Sequence, residues 1–278
     1  METLKESLDN LIRTLEAEIP CNPGSKANIK LAAPLADNLA TYFQSLLDAL
    51  PWDKIDVLYN ANVQESFREV LASPFNIDIG DWFDPVLQTF QGQLAAYLQQ
   101  HAVTVYLTGA AEMTSWGRTK LRNLPILFEG PPMGEAINYA SAHAAQLVTG
   151  IDAATKDQLA QIIADGIQNK RGIDGLARDI RAAFDDMRVQ RSKLIAHTET
   201  GNALGKAFID RSVAMGVTGK EWILGSGGRE GNCEDCIANA DAGVIPIDQE
   251  FPSGVMTVLQ HPGCTCGCAP VMIKQGEE

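Results

Sequence analysis

The chain has 278 residues, 45% of them hydrophobic and 21% charged, which is typical of a globular protein and unlike a disordered or fibrous one. Acidic residues outnumber basic ones by 35 to 22, and the net charge of -13 argues against a general affinity for nucleic acid or for an anionic membrane surface. The sequence has no apolar run of about 18 residues and lacks the basic-then-apolar order of a secretory signal. We therefore predict a soluble chain with a packed core and no membrane partner.

The first half of the chain is predicted to be helical. Leucine and isoleucine recur at helical spacing over residues 3–19, and Pro20 ends the pattern. A second helix is expected over residues 35–50, and a third is expected to begin at Asp84 and Pro85. The apolar stripe of the second helix, which is expected to face the core, is Leu35, Leu39, Phe43, Leu46, Leu47 and Leu50. The Gly- and Pro-rich cluster at 130–134 then predicts a boundary between a helical N-terminal domain, residues 1–130, and a second domain, residues 131–278.

The second half begins with helices and changes character after Gly219. Apolar stripes continue to about Gly216, with Ile137, Ile195 and Val213 among the residues expected to face inward. Residues 221–224 are typical of a short strand, and turns, cysteines and a final apolar stretch follow. Because residues 221–272 hold few apolar side chains, a metal cross-link would contribute most to folding there. The predicted fold is mainly α, ending in a small α+β module stapled by zinc.

Five of the six cysteines lie close together, and only Cys21 is isolated. Cys233 and Cys236 form a CxxC half-site, and a second half-site follows 25 residues after it, with the donors His261, Cys264 and Cys266. Zinc takes four nitrogen or sulfur ligands, so we predict a zinc site made of Cys233, Cys236, His261 and either Cys264 or Cys266. Reduced, unbound cysteines or short-range disulfides are the alternative. The excess of donors favours a closed structural site over a catalytic one.

An enzymatic interpretation of the same residues is a zinc deaminase. His197 and Glu199, followed by the CxxC half-site, have the residue order of such an enzyme, with His197 on the metal and Glu199 as the proton shuttle. Against it, Asn232 stands where a deaminase usually has proline, and this interpretation leaves His261 and Cys264 unexplained. The chain also has no P-loop and no HExxH motif. We therefore predict that the protein is not an enzyme and keep a deaminase-like or hydrolytic zinc enzyme as the alternative.

Several separated motifs of the second half occur in one order. A stretch at residues 195–203 is followed by a Gly-Val turn, by Lys220 and Trp222, and by the CxxC half-site with a trailing Ala-Asn. Further motifs at residues 243–248 and 251–254 precede the final His-Pro-Gly-Cys-Thr-Cys. In this order and spacing, residues 134–272 resemble the phage head-morphogenesis, or Mu F-like minor capsid, proteins of tailed bacteriophages. Two residues depart from the family pattern, because His197 and Thr265 stand where the family has arginine.

The resemblance implies a virion structural protein that is made in the host bacterial cytoplasm. Its expected role is assembly or stabilisation of the phage head at or near the portal vertex, with a possible part in DNA packaging or delivery. The expected partners are the portal protein, the major capsid protein, or both, and packaged DNA would be contacted indirectly. Acidic residues outnumber basic ones in residues 221–278, so direct DNA binding by that module is not expected.

Overall fold

The computed structural model describes residues 19–65, 77–120, 131–225 and 228–273. The helix predicted over residues 3–19 lies outside these ranges except for its last residue. The described helices are α1 (Lys26–Asp48), α2 (Trp52–Glu65), α3 (Gly80–Lys120), α4 (Met133–Gln168), α5 (Ile173–Asp186) and, after a π-helical turn at Met187–Arg191, α6 (Ser192–Ala214). Of the helices in these ranges, none combines the length and apolar character that a membrane crossing requires.

The C-terminal part forms a small α+β module. It contains the strands β1 (Gly219–Ile223), β2 (Val244–Pro246) and β3 (Gly267–Val271), together with a 3₁₀ turn at Gly228–Gly231 and the short helix α7 (Glu234–Asp241). The strand order is β2-β1-β3, and both pairings are antiparallel. Trp222 on β1 stands opposite Cys268 on β3. The prediction of a mainly helical chain ending in a small α+β module is confirmed.

The chain divides into two compact units, and each draws on residues from both sides of position 130. The described part of unit 1 comprises residues 19–34, 100–120, 131–140, 193–225 and 228–273, and that of unit 2 comprises residues 35–65, 77–99 and 141–192. The unit boundaries fall inside α1, α3, α4 and α6. The predicted domain boundary near residue 130 stays a prediction, but a fragment starting there would lack part of unit 1.

Helical periodicity predicted the buried faces of unit 2 well. Leu35, Leu39, Phe43 and Leu46 on α1 are each at most 1% exposed. The same unit buries Asp152, whose carboxylate accepts hydrogen bonds from the Tyr42 hydroxyl and from Gln91. Burial raises the pKa of Asp152, and these two hydrogen bonds lower it by less.

Three predictions about individual positions were wrong. Helix α3 begins at Gly80 rather than at Asp84, because the Asp78 carboxylate accepts a hydrogen bond from the Gly80 N–H at 2.8 Å and satisfies a free donor of the first turn. Ile137 and Val213 are 49% and 59% exposed, although both were expected to face inward. Their neighbours Ala136 and Ser212 are buried instead, whereas Ala140, Ala144, Leu204 and Phe208, which continue the same predicted stripes, are buried as expected.

Unit 1 is built around a core to which the module contributes its aromatic side chains and cysteines. Trp222 packs edge-on against Phe251, with the ring centroids 5.1 Å apart. Lys220 is fully buried beside them, and its ammonium donates to the carbonyl oxygens of Ile247 at 3.1 Å and Met256 at 2.6 Å. Main-chain oxygens therefore satisfy the charge, and the two hydrogen bonds connect Ile247 and Met256 to β1, the central strand of the sheet.

Two glycines on α6 let another segment of unit 1 approach closely. A Cβ atom at Gly205 would lie 2.5 Å from the carbonyl oxygen of Val258, and one at Gly201 would lie 2.7 Å from the Leu259 side chain. The small residues of this stretch thus allow residues 257–259 to lie against the helix. This segment leads directly into the second cysteine and histidine half-site.

Candidate metal centre

The first half-site is formed by the start of α7. Cys233 is the N-cap residue of this helix, and its Sγ accepts a hydrogen bond from the Cys236 N–H at 3.4 Å. Glu234 and Asp235 follow in the first turn, where carboxylates interact favourably with the positive end of the helix dipole. The CxxC spacing therefore places an exposed sulfur, Cys233, and a buried one, Cys236, on the same tight turn.

The second half-site is a turn that runs from His261 to Cys264. The Cys264 N–H donates to the His261 carbonyl oxygen at 3.1 Å, and Gly263 takes a positive φ of 77°, which glycine adopts without strain. The His261 Nδ1 lies 3.0 Å from the Pro262 carbonyl oxygen. A carbonyl oxygen only accepts, so Nδ1 carries the proton and Nε2 keeps the lone pair that can bind a metal.

Folding brings all five predicted donors together. Cys236 Sγ lies 3.7 Å from Cys264 Sγ and 4.0 Å from His261 Nε2. The donor atoms form two groups, and within each group all atoms lie within 4.8 Å of one another. One group is Cys233, Cys236 and His261, and the other is Cys236, Cys264 and Cys266. Thiolate and imidazole donors at these separations could hold a metal ion.

The pKa values of the cysteines diverge. The neighbouring Cys266 thiol, together with backbone N–H groups, lowers the pKa of Cys264 to about 5, and the Cys236 backbone N–H lowers the pKa of Cys233. Burial raises the pKa of Cys236 to about 12, while the contact with Cys264 and burial raise that of Cys266. Cys233 and Cys264, one in each half-site, are therefore the thiolates that form most readily.

The remaining cysteines lie apart from this cluster in the described residues. Cys268 is on β3, and its N–H donates to the Cys21 carbonyl oxygen at 2.8 Å in an isolated antiparallel bridge. Both side chains are buried in the core of unit 1, and neither belongs to a group of donor atoms that could hold a metal. Cys21 is isolated in the sequence, and no local pattern indicates its pairing with β3.

His197 and Glu199 do not form the deaminase arrangement in the described structure. His197 Nε2 lies 2.9 Å from the Cys264 carbonyl oxygen, to which it must donate, so this nitrogen has no lone pair for a metal. His197 instead supports the turn that carries Cys264. Glu199 is buried and accepts a hydrogen bond from Asn202 at 3.3 Å on the same helix.

No protein-family model, no curated protein and no solved structure matches this chain. The resemblance to phage head proteins therefore depends on the residue motifs alone.

Proposed function

We propose that this protein is a minor head protein of a tailed bacteriophage, with a structural role in head assembly at or near the portal vertex. The observation that carries the proposal is the ordered run of motifs from residue 134 to residue 272. The proposed partners are the portal protein and the major capsid protein, and the proposed location is the phage head.

The positions of the motif residues support a structural role. Lys220, Trp222 and Phe251 are at most 2% exposed and pack together at the centre of the module. Asn239 is fully buried, where it donates to the Ser253 hydroxyl at 2.8 Å and accepts from the Ser253 N–H at 3.0 Å. These residues join separate loops of the module, so the motifs are better explained as determinants of its fold than as groups that meet a substrate.

The proposal includes a structural zinc ion at the cysteine and histidine cluster. Three sulfurs and one imidazole nitrogen would complete the tetrahedral shell that zinc prefers and would leave no position open for substrate. Bound zinc would cross-link the start of α7 to the turn at 261–264, and 24 residues of mostly irregular chain separate Cys236 from His261. Metal binding would thus stabilise the module.

The proposal is tested on particles of the phage that encodes this chain. Heads are purified, and cross-linking followed by mass spectrometry identifies the neighbours of the chain. We expect it to be a constituent of the heads and to form cross-links with the portal protein or the major capsid protein. Its absence from purified heads would contradict the proposal.

An enzymatic assay tests the alternative that the protein is a deaminase-like zinc enzyme. Zinc-loaded protein is incubated with free and single-stranded cytosine and adenine substrates, in parallel with a Glu199→Gln variant. We expect no turnover by either protein. Deamination that disappears in the variant would replace the structural role with a catalytic one.

A further inference from the structure

Cys266 and Asn232 connect the two half-sites without belonging to the same turn. Asn232 directly precedes Cys233, and Cys266 follows Cys264 by two residues. The fully buried Cys266 thiol donates to the Asn232 side-chain oxygen, with Sγ and Oδ1 3.2 Å apart. The other end of the amide, Nδ2, faces the Gly225 carbonyl oxygen at 3.5 Å, an arrangement that directs Oδ1 toward Cys266.

Two distances among the other donors are close to the edges of a four-coordinate metal site. A tetrahedral zinc site with Zn–S bonds of about 2.3 Å and a Zn–N bond of about 2.0 Å has S···S edges of roughly 3.8 Å and S···N edges of roughly 3.5 Å. The Cys236–Cys264 pair, at 3.7 Å, matches the first edge, and the Cys236–His261 pair, at 4.0 Å, is close to the second. Cys233 forms one group with Cys236 and His261, and Cys264 forms another with Cys236 and Cys266, so a metal bound by Cys233, Cys236, His261 and Cys264 would draw the two groups together around Cys236.

We propose that Cys233, Cys236, His261 and Cys264 bind the metal, and that Cys266 is not a ligand but forms a latch with Asn232. The latch is the Cys266–Asn232 hydrogen bond, which holds the two half-sites together before the metal arrives. This inference rests on the zinc centre proposed above. It assigns Cys266 and Asn232 as positioning residues.

The latch would act through preorganisation. Each half-site is a short turn. Without the latch, the metal alone would have to bring the two turns together, at an entropic cost. A hydrogen bond between the residues flanking the ligands reduces that cost. Loss of a group that orients metal ligands typically weakens metal binding by about 10-fold to 100-fold while leaving the number of ligands unchanged.

The test compares variants of the full-length chain under reducing conditions. Cys266→Ala and Asn232→Ala remove the latch, and Cys266→Ser keeps a donor at the same position. Cys268→Ala is the matched control, because Cys268 is an equally buried cysteine two residues further along and lies outside the cluster. Zinc affinity is measured by competition with a chelator, and X-ray absorption spectroscopy counts the sulfur and nitrogen ligands.

We expect X-ray absorption to find three sulfur ligands and one nitrogen ligand in every variant. Zinc affinity should fall 10-fold to 100-fold in Cys266→Ala and Asn232→Ala, which remove the latch. Zinc affinity should stay near the wild-type value in Cys266→Ser and Cys268→Ala. A four-sulfur shell that loses one sulfur in Cys266→Ala would overturn the assignment, because Cys266 would then be a ligand. Equal losses in Cys266→Ala and Cys268→Ala would overturn the latch in favour of a general effect of core truncation. Absence of stoichiometric zinc from the wild-type chain would refute the metal centre itself, a result distinct from these two.

Discussion

The close contact between α6 and residues 257–259 predicts that Gly205→Ala destabilises the module. The added methyl group would lie 2.5 Å from the Val258 carbonyl oxygen and 2.8 Å from the Thr257 Cγ2 atom. Ordinary contacts of a carbon atom are at about 3.5–4.0 Å, so the segment would have to move by roughly 1 Å. Overpacking of this kind costs about 1–3 kcal/mol, and the higher helix propensity of alanine offsets about 0.5–1 kcal/mol of it.

The expected net loss of stability is therefore about 1–2 kcal/mol. Val258 precedes His261 by only three residues, so the displacement would also disturb the second half-site. If the full cost opposes the metal-binding conformation, zinc affinity should fall roughly 10-fold, since 1.4 kcal/mol corresponds to a factor of ten.

Gly92→Ala is the matched control for this substitution. Gly92 is an exposed position inside α3, and a Cβ atom there would meet nothing within 4 Å. This variant should be stabilised by about 0.5–1 kcal/mol. Urea unfolding, hydrogen exchange at residues 257–264 and chelator competition measure the three effects. A Gly205→Ala chain that is as stable as the Gly92→Ala chain would refute the reasoning.

Three further predictions concern the metal and pH. Elemental analysis of protein purified under reducing conditions should find one zinc per chain, whereas sulfur pairs joined at about 2.05 Å in a metal-free crystal structure would establish disulfides instead. Cys233→Ser should increase hydrogen exchange within residues 221–272 and leave the helices of unit 2 unchanged, because the ligand cross-links only the module; unchanged exchange around both half-sites would contradict the cross-link. His101 is buried, its Nε2 lies 2.9 Å from the Thr200 hydroxyl, and burial lowers its pKa from 6.5 to about 4. As the pH falls, His101 is therefore protonated in the unfolded chain before it is protonated in the folded one. The metal-free protein should lose up to about 3 kcal/mol of stability between pH 6.5 and pH 4. Urea titrations of a His101→Gln variant should not show this pH dependence.

Local patterns in the sequence determined the helices and the two half-sites. Residues such as Leu39 and Phe43 were identified as buried because helical periodicity places them on one face, whichever element covers that face. The CxxC and His-x-x-Cys spacings likewise place two donors on one turn by chain geometry alone. Because helical periodicity and turn spacing are both local properties, the sequence alone predicted a mainly helical chain that ends in a small module.

The tertiary structure decided which side chains meet across long stretches of the sequence. Lys220 can be buried because two distant carbonyl oxygens accept hydrogen bonds from its ammonium, and Cys21 pairs with Cys268 because the segment around Cys21 lies along the edge of β3. His197 was a candidate ligand in the sequence, but in the fold its Nε2 is committed to the Cys264 carbonyl oxygen. Each of these roles depends on a hydrogen-bond partner 27 to 247 residues away, and the local periodicity and motif spacing that predict helices and turns carry no information about such partners.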